Sequence, residues 1–351
     1  MRKLTTIQVI KDILPIKGAD NIELLTFENI GWKCISTKEI YKEGDKCIYF
    51  EIDSFLPLED PNFKFLEGCC KRLMYNGFKG YRLKTMKLRG VVSQGLAMPI
   101  NLYPELNNLE VGTDVSNELN VNKWEQDPGG DYQIEADYPG FIIKSDQTRI
   151  QSEPEYFELF KHIEFEESLK LDGSSTTIFD FDNEVKVCGR NNVYQSIPDV
   201  PPWKLANEMG LLIALKELNL NIGLQAELMG PGLHKNREQL RGYEFYLFNI
   251  FDIKRSRFFK PEERNEITDM INYKLNEISG KELKQAPVLR EKVKIFEECE
   301  NLEELLSVAK GASINNKIRE GNVYKSREYI IHDQILQFKM INNEYLLKGG
   351  N

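Results

Sequence analysis

The chain has 351 residues, of which 41% are hydrophobic and 29% charged, and 46 basic side chains against 55 acidic ones leave a net charge of −9. That length supports about two domains with a core each, and the composition is that of a soluble globular protein. It excludes a protein that coats nucleic acid nonspecifically through bulk positive charge, and no apolar run approaches the roughly 18 residues of a membrane span.

The opening MRKLTTIQVIKDIL is basic but breaks into charge at Lys11 and Asp12, so it lacks a signal-peptide core. The expected location is intracellular, in the cytoplasm, with no membrane partner. Six cysteines form no C-x-x-C pair and read as reduced thiols. The three histidines are too scattered to suggest a histidine metal site or triad.

Residues 1–130 read as short strands separated by turns. Ile22–Phe27, Trp32–Ser36, Lys46–Glu51 and Tyr81–Leu88 are strand-like, with turn signals at Gly18, Gly31, Gly44–Asp45 and Gly90. This spacing predicts a small β-barrel. Between Lys71 and Arg89 lie Lys71, Arg72, Lys79, Arg82, Lys84, Lys87 and Arg89 with no acidic residue, interleaved with Tyr75, Phe78 and Tyr81. Cations can neutralise phosphates and aromatic faces can stack on unpaired bases. A solvated hairpin with its aromatics in the core is the open alternative.

The polar stretch around Asp127-Pro128-Gly129-Gly130 marks the expected domain boundary, giving domains at 1–130 and 131–351. Beyond it, helices are predicted at Tyr156–His162, Trp203–Leu218, Glu263–Ser279 and Glu291–Ala309. Strands are predicted at Glu166–Leu171, Thr176–Phe181, Val185–Cys188, Leu224–Leu228, Phe245–Ile253, Val323–Lys325 and Ile335–Ile341. The fold class expected is α+β, with antiparallel sheets in the second domain.

The sharpest chemical feature is Lys170-Leu171-Asp172-Gly173-Ser174-Ser175, a strand end entering a turn. A lysine bonds to phosphorus only as the free amine, yet its ordinary pKa is about 10.4. A pocket that lowers it needs nearby positive charge, such as a metal ion or other lysines. Gly173 permits a tight turn. Taken alone, K-x-D-G is more often a solvated turn.

Further elements follow in order: Cys188-Gly189-Arg190-Asn191; Ala226-Glu227-Leu228-Met229-Gly230-Pro231-Gly232; Phe245-Tyr246-Leu247-Phe248; Glu320-Gly321-Asn322-Val323-Tyr324-Lys325; and Gln337-Phe338-Lys339. Together with Lys170, this series resembles the motifs of the covalent nucleotidyltransferases, which include DNA ligases, RNA ligases and mRNA capping enzymes. It is most similar to ATP-dependent RNA ligases. The resemblance implies ATP and Mg2+ (or Mn2+) as cofactors and Lys170 as the nucleophile that takes AMP. It implies Asp172, Glu227 and Glu320 as carboxylates around the metal and the nucleotide. Arg190 is implied at the nucleotide and RNA end, Phe248 as the ring stacked on adenine, and Lys325 and Lys339 at the α-phosphate. Lys144-Ser145-Asp146-Gln147-Thr148-Arg149 resembles the segment preceding the nucleophile, and Arg149 is implied at the triphosphate tail.

Two positions depart from the family pattern. Gln337 stands where Lys-x-Lys usually begins, and Leu169 precedes the nucleophile where many relatives carry an acid. In the first domain, Gly18-Ala19-Asp20-Asn21-Ile22-Glu23 and Lys87-Leu88-Arg89-Gly90-Val91-Val92-Ser93-Gln94-Gly95-Leu96 look like pieces of tRNA-binding OB domains. Glu51-Ile52-Asp53-Ser54-Phe55-Leu56-Pro57 is similar to the OB half of an RNA ligase branch in which that domain comes first. Only 12 residues follow Lys339, too few for an OB domain after the last motif. The expectation is therefore an RNA ligase joining 3′-OH and 5′-phosphate RNA ends as a monomer. A DNA ligase, a capping guanylyltransferase and a noncatalytic RNA-binding protein are the rivals.

Overall fold

The computed structural model describes residues 2–75, 77–125 and 132–349. Two compact units emerge, one of Met1–Asp127, Thr148–Tyr156 and Leu346–Asn351, the other of Pro128–Gln147 and Phe157–Tyr345. The expected boundary at Asp127–Gly130 lies outside the described residues.

The first unit contains β1 (Thr5–Pro15), β2 (Ile22–Phe27), β3 (Cys34–Thr37), β4 (Lys46–Phe50), β5 (Ser54–Pro57), β6 (Arg72–Tyr75), β7 (Phe78–Arg82), β8 (Met86–Leu88), β9 (Val91–Ser93), β10 (Leu96–Pro99) and β11 (Asn122–Lys123). One antiparallel sheet runs β10-β4-β1-β2-β3, a second runs β11-β5-β7-β6, and β8 pairs with β9. A bulge between Ile10 and Ile13 lets β1 serve β4 with one half and β2 with the other. The Gln94 N–H donates to the Lys33 carbonyl at 2.9 Å and the Ile35 N–H to Ser93 Oγ at 2.9 Å, bringing the last strands back to β3 and nearly closing a barrel.

Strand β4 shows why the barrel holds. Its side chains alternate, and both faces are buried: Ile48 and Phe50 join a cluster with Ile7, Leu56 and Phe63, while Cys47 and Tyr49 join Ile10, Leu25 and Trp32. The expected strand over Tyr81–Leu88 is two strands, because the chain leaves one ladder after Arg82 and enters another at Met86.

The second unit opens with β12 (Ile134–Asp137). After the short β13 (Thr148–Arg149) of the first unit and α1 (Tyr156–Leu159), it continues with β14 (Phe165–Lys170), β15 (Ser174–Phe181), β16 (Glu184–Cys188), β17 (Asn192–Tyr194), α2 (Pro201–Glu208), α3 (Leu211–Leu218), β18 (Ile222–Met229), β19 (Glu244–Asp252), β20 (Arg257–Phe258), α4 (Pro261–Ser279), β21 (Lys284–Gln285), β22 (Val288–Val293), α5 (Ile295–Glu298), α6 (Leu302–Val308), β23 (Gly321–Ile331), β24 (Gln334–Ile341) and α7 (Asn343–Leu347). One sheet runs β12-β17-β16-β15-β18-β19-β20, and in another β24, β23, β14 and β22 lie side by side.

The period of two decides which residues reach the site. Leu224, Ala226 and Leu228 of β18 pack with Trp203, Ala206, Leu211, Leu215 and Leu275 of the helices. Gln225 and Glu227 therefore point to the other face of the sheet. A register shift between Gln225, opposite Asn249, and Ala226, opposite Leu247, leaves Phe248 as the extra residue of a bulge.

Two helix expectations are corrected. Trp203–Leu218 is two helices, since Gly210 at φ +75 breaks the run and starts α3. Glu291–Ala309 begins as a strand: β22 pairs with β14, setting Arg290 opposite Glu167, and only α5 and α6 are helical. The Glu/Lys/Leu content of this stretch favours helix, but pairing with a buried strand wins.

Candidate active site

Lys170 ends β14, whose side chains from Phe165 to Leu169 are buried. The antiparallel register sets Lys170 opposite Gly321, so Glu320 arrives beside the amine. Lys170 Nζ lies 2.8 Å from the Glu320 carboxylate. Gly321 is required for this approach, because a Cβ there would fall 2.0 Å from the Met340 carbonyl. Gly173 has a similar role, and its need is space rather than an unusual φ: a Cβ would meet the Leu228 carbonyl at 2.5 Å. Its N–H instead donates to Glu227 Oε1 at 2.9 Å, fastening the turn to β18.

Asp172 is enclosed by protein partners. His234 Nδ1 lies 3.1 Å away, Arg237 Nε 3.3 Å away, and the Tyr345 hydroxyl donates to the same carboxylate. Arg237 also sits 4.6 Å above the Tyr345 ring. The His234 side chain is delivered by a left-handed turn, with φ of +41, +61 and +43 at His234, Lys235 and Asn236. Such conformations are costly for residues other than glycine, so the surrounding contacts hold the turn in place. Sequence reasoning missed His234, Arg237 and Tyr345. Gly230-Pro231-Gly232 signals a turn, but nothing in it says where the following histidine points.

The charge balance is the reverse of the one expected. Burial disfavours the Lys170 ammonium, but Glu320, Glu227 and Asp172 outweigh it and hold the amine above its ordinary pKa. Glu227 is pushed up to about 7, chiefly by burial and further by Glu320 and Asp172 against the pull of Lys170. Burial also raises Glu320. Asp172 is held down against burial by its bonds from His234 and Tyr345.

Among the described residues, no three His, Cys, Asp or Glu side chains are arranged as a metal-holding group. Glu320 is turned to Lys170 and Asp172 to its three partners. The donor set nonetheless suits a hard divalent cation: buried carboxylate oxygens, one of them in a group that burial and the neighbouring carboxylates keep from ionising.

The remaining expected residues fall in three places. Lys339 acts on Glu320 electrostatically and lies 3.7 Å from Asp146, which also pairs with Arg190 at 3.2 Å. Lys144 Nζ donates to Asn191 at 3.0 Å, so the 144–146 segment is tied to the Gly189-Arg190-Asn191 turn. Phe248 packs half-buried with Leu169, Leu171, Met229 and Tyr246. Lys325 is buried, and its amine donates to the Phe248 carbonyl rather than facing an open pocket. Gln337 is its cross-strand partner and accepts from Asn249 Nδ2 at 3.1 Å. Arg149 belongs to the first unit, 3.1 Å from Asp53 and 5.8 Å from the Trp32 ring centroid.

Comparison with known proteins assigns the family. Residues 163–341 match the RNA ligase family, and residues 4–100 match an OB-fold domain family. The chain belongs to the RNA ligase family. It is an enzyme with an N-terminal OB-fold domain and an antiparallel-sheet ligase domain. The Naegleria gruberi RNA ligase with PPi is 36% identical, with a TM-score of 0.88 and coverage of 99% of each chain. A variant of that ligase with ATP and Mn is 35% identical, with a TM-score of 0.88 and 98% of each chain covered. No curated protein matches.

Proposed function

We propose that this RNA ligase uses ATP and Mg2+ or Mn2+ to join a 3′-OH to a 5′-phosphate through a covalent lysyl-AMP on Lys170. The observation that carries this reading is the half-buried Lys170 amine held at 2.8 Å by Glu320, with Glu227 and Asp172 acting on the same charge. The Naegleria ligase structures with ATP, Mn and PPi support the nucleotide and the ion.

Glu227 and Glu320 would hold a divalent cation, which would supply positive charge that offsets the carboxylates and favours the neutral amine. Glu320, already hydrogen-bonded to Nζ, is placed to receive the proton that leaves it. In the first step the nitrogen bonds to the α-phosphorus while the bond to the bridging oxygen breaks and pyrophosphate leaves. AMP then passes to the 5′-phosphate of one RNA end, and the 3′-hydroxyl of the other displaces it. Lys339 and Arg190, which both meet Asp146, offset phosphate charge in this reading. Phe248, half-buried at the bulge, is the ring that stacks on the base in this reading. A contact of Lys325 with phosphate requires its amine to leave the Phe248 carbonyl.

The reading extends to a monomer and to the cytoplasm, the location alone being in keeping with free thiols such as the buried Cys34 and Cys188. Among the described residues, no helix is long and apolar enough to cross a membrane.

The test is incubation with α-labelled ATP and Mn2+, followed by 5′-phosphorylated RNA. Label should appear on the protein and then move to the RNA, and Lys170→Ala should remove it. Label on Lys170→Ala would refute the assignment. Preference for α-labelled GTP would make the protein a capping enzyme, and preference for DNA 3′-OH strands a DNA ligase.

A further inference from the structure

Strand β24 ends at Ile341, and the four residues after it reach two of the three acids that act on Lys170. Asn342 is buried. Its N–H donates to the Glu320 carbonyl at 2.8 Å, and its Nδ2 donates to the Arg319 carbonyl at 3.2 Å. Its Oδ1 accepts from the Glu344 N–H at 3.0 Å and so caps the first turn of α7. That turn carries the Tyr345 side chain inward, 2% exposed, to the Asp172 carboxylate. One short segment therefore fastens the backbone at Glu320 and the side chain of Asp172.

The ring and the hydroxyl of Tyr345 do different things. The ring packs beneath Arg237 at 4.6 Å, which a phenylalanine would do equally. The hydroxyl is a buried polar group that needs a partner, and its partner is a carboxylate. Burial, then the charges of Glu320 and Asp172, raise its pKa, so it stays a donor. The Asp172 carboxylate is thus aimed from both oxygens, with His234 at Oδ1 and both Arg237 and Tyr345 at Oδ2. Donors on both oxygens fix its rotation. Turning either oxygen to a metal ion, at the short distances such ions demand, works against these bonds. Glu227 is held differently, with the Gly173 N–H at Oε1.

We propose that Tyr345 is a positioning residue for the first step, its hydroxyl holding Asp172 beside Lys170 and away from the cation that Glu227 and Glu320 would carry. Without the hydroxyl, the carboxylate is freer to rotate towards that cation. The ion is then held more tightly, while the fixed charge near the attacking amine is lost. This rests on the ligase reading, and the binding measurement below survives that reading's failure.

The test compares full-length parent and Tyr345→Phe, which keeps the ring and removes the donor. The maximal rate of lysyl-AMP formation from α-labelled ATP should fall about tenfold, the scale of one hydrogen bond to a charged group, with half-saturating ATP unchanged. Free Mn2+ is followed by electron paramagnetic resonance with α,β-methylene ATP present, which cannot transfer AMP. Tyr345→Phe should bind Mn2+ severalfold more tightly, a gain that a merely structural role would not produce. Tyr329→Phe is the control: it removes a phenol that donates to Glu263 at 2.6 Å towards the far end of β23, and it should change neither reading. An unchanged rate would overturn the proposal, as would a loss that Tyr329→Phe reproduces. So would Mn2+ binding that is unchanged or weaker in Tyr345→Phe, since weaker binding makes Asp172 a ligand that the tyrosine aims at the ion. If the parent takes no label from ATP, the ligase reading fails instead, and the Mn2+ comparison still decides whether Tyr345 holds Asp172 off the ion.

Discussion

Strands β14 and β23 hold a charged cluster at each end of one ladder, and the two ends are built in opposite ways. At the Lys170 end, three carboxylates surround one amine, and that amine is held above its ordinary pKa. At the far end, Glu166 faces Lys325 across the ladder and is gripped by Arg264 through two bonds of 2.7 Å. Two cations share one carboxylate there, and Lys325 is pushed down to about 7 by burial and then by Arg264, with Glu166 opposing. The same residue type on paired strands is thus driven in opposite directions by its neighbours. One end keeps in Glu227 a carboxylate that burial pushes up to about 7. The other is already neutralised and behaves as structure.

Removing Arg264 should have the largest effect. Arg264→Ala leaves Glu166 buried without its bidentate partner, which costs about 3–5 kcal/mol in such cases. Lys325, released from the Arg264 repulsion, should become charged and recover part of the loss. Urea unfolding measures this, and a cost under about 1 kcal/mol would mean that the Glu166–Arg264 pair is not what organises this end.

Next comes Lys325→Met. In the folded protein the amine is neutral above about pH 7, whereas in the unfolded chain it stays charged to about 10.4. The unfolded state therefore binds more protons across that window, and parent stability should rise with pH by up to about 1.4 kcal/mol per unit. Below pH 7 both states are charged and the burial cost is fully felt. The methionine variant should gain most over the parent at pH 6 and lose that advantage towards pH 9; a gain independent of pH would show Lys325 to be charged in the folded protein throughout.

At the Lys170 end the sign is reversed. Glu227 is raised to about 7 against about 4.3 unfolded. Between those values the folded state binds the extra proton, so the metal-free protein should lose stability as pH rises through the window. A divalent cation binds the ionised form, so Mn2+ should raise Tm more at pH 8 than at pH 5.5, and EDTA should abolish the difference. Equal stabilisation at both pH values would place the ion away from Glu227.

The smallest effect is expected at Asp172. His234→Asn keeps a donor for the carboxylate and should lower the adenylylation rate severalfold with little change in Tm, whereas His234→Ala should lower it further. Identical rates in both variants would mean that the histidine does not orient Asp172.

Much of the ligase domain was legible in order and spacing. The strand carrying Lys170, the strand carrying Glu227 and the Glu320–Lys325 strand lie within a few residues of expectation, because alternation and glycine punctuation are local properties. The glycines at 173 and 321 were visible too, though the reason for them is the proximity of another strand. What could not be read was which charge meets which. That Asp172 is enclosed by His234, Arg237 and Tyr345, that Lys325 turns to a carbonyl, and that 288–293 is a strand opposite Glu167 all depend on partners 60 or more residues away.

The sequence by itself determined the inventory: one lysine before a turn, acids and bases in a family order, and a barrel-forming first unit. Only the tertiary structure decided the protonation and engagement of those groups, because burial and the distance to other charges set a pKa, and both arise when separated strands are brought into register.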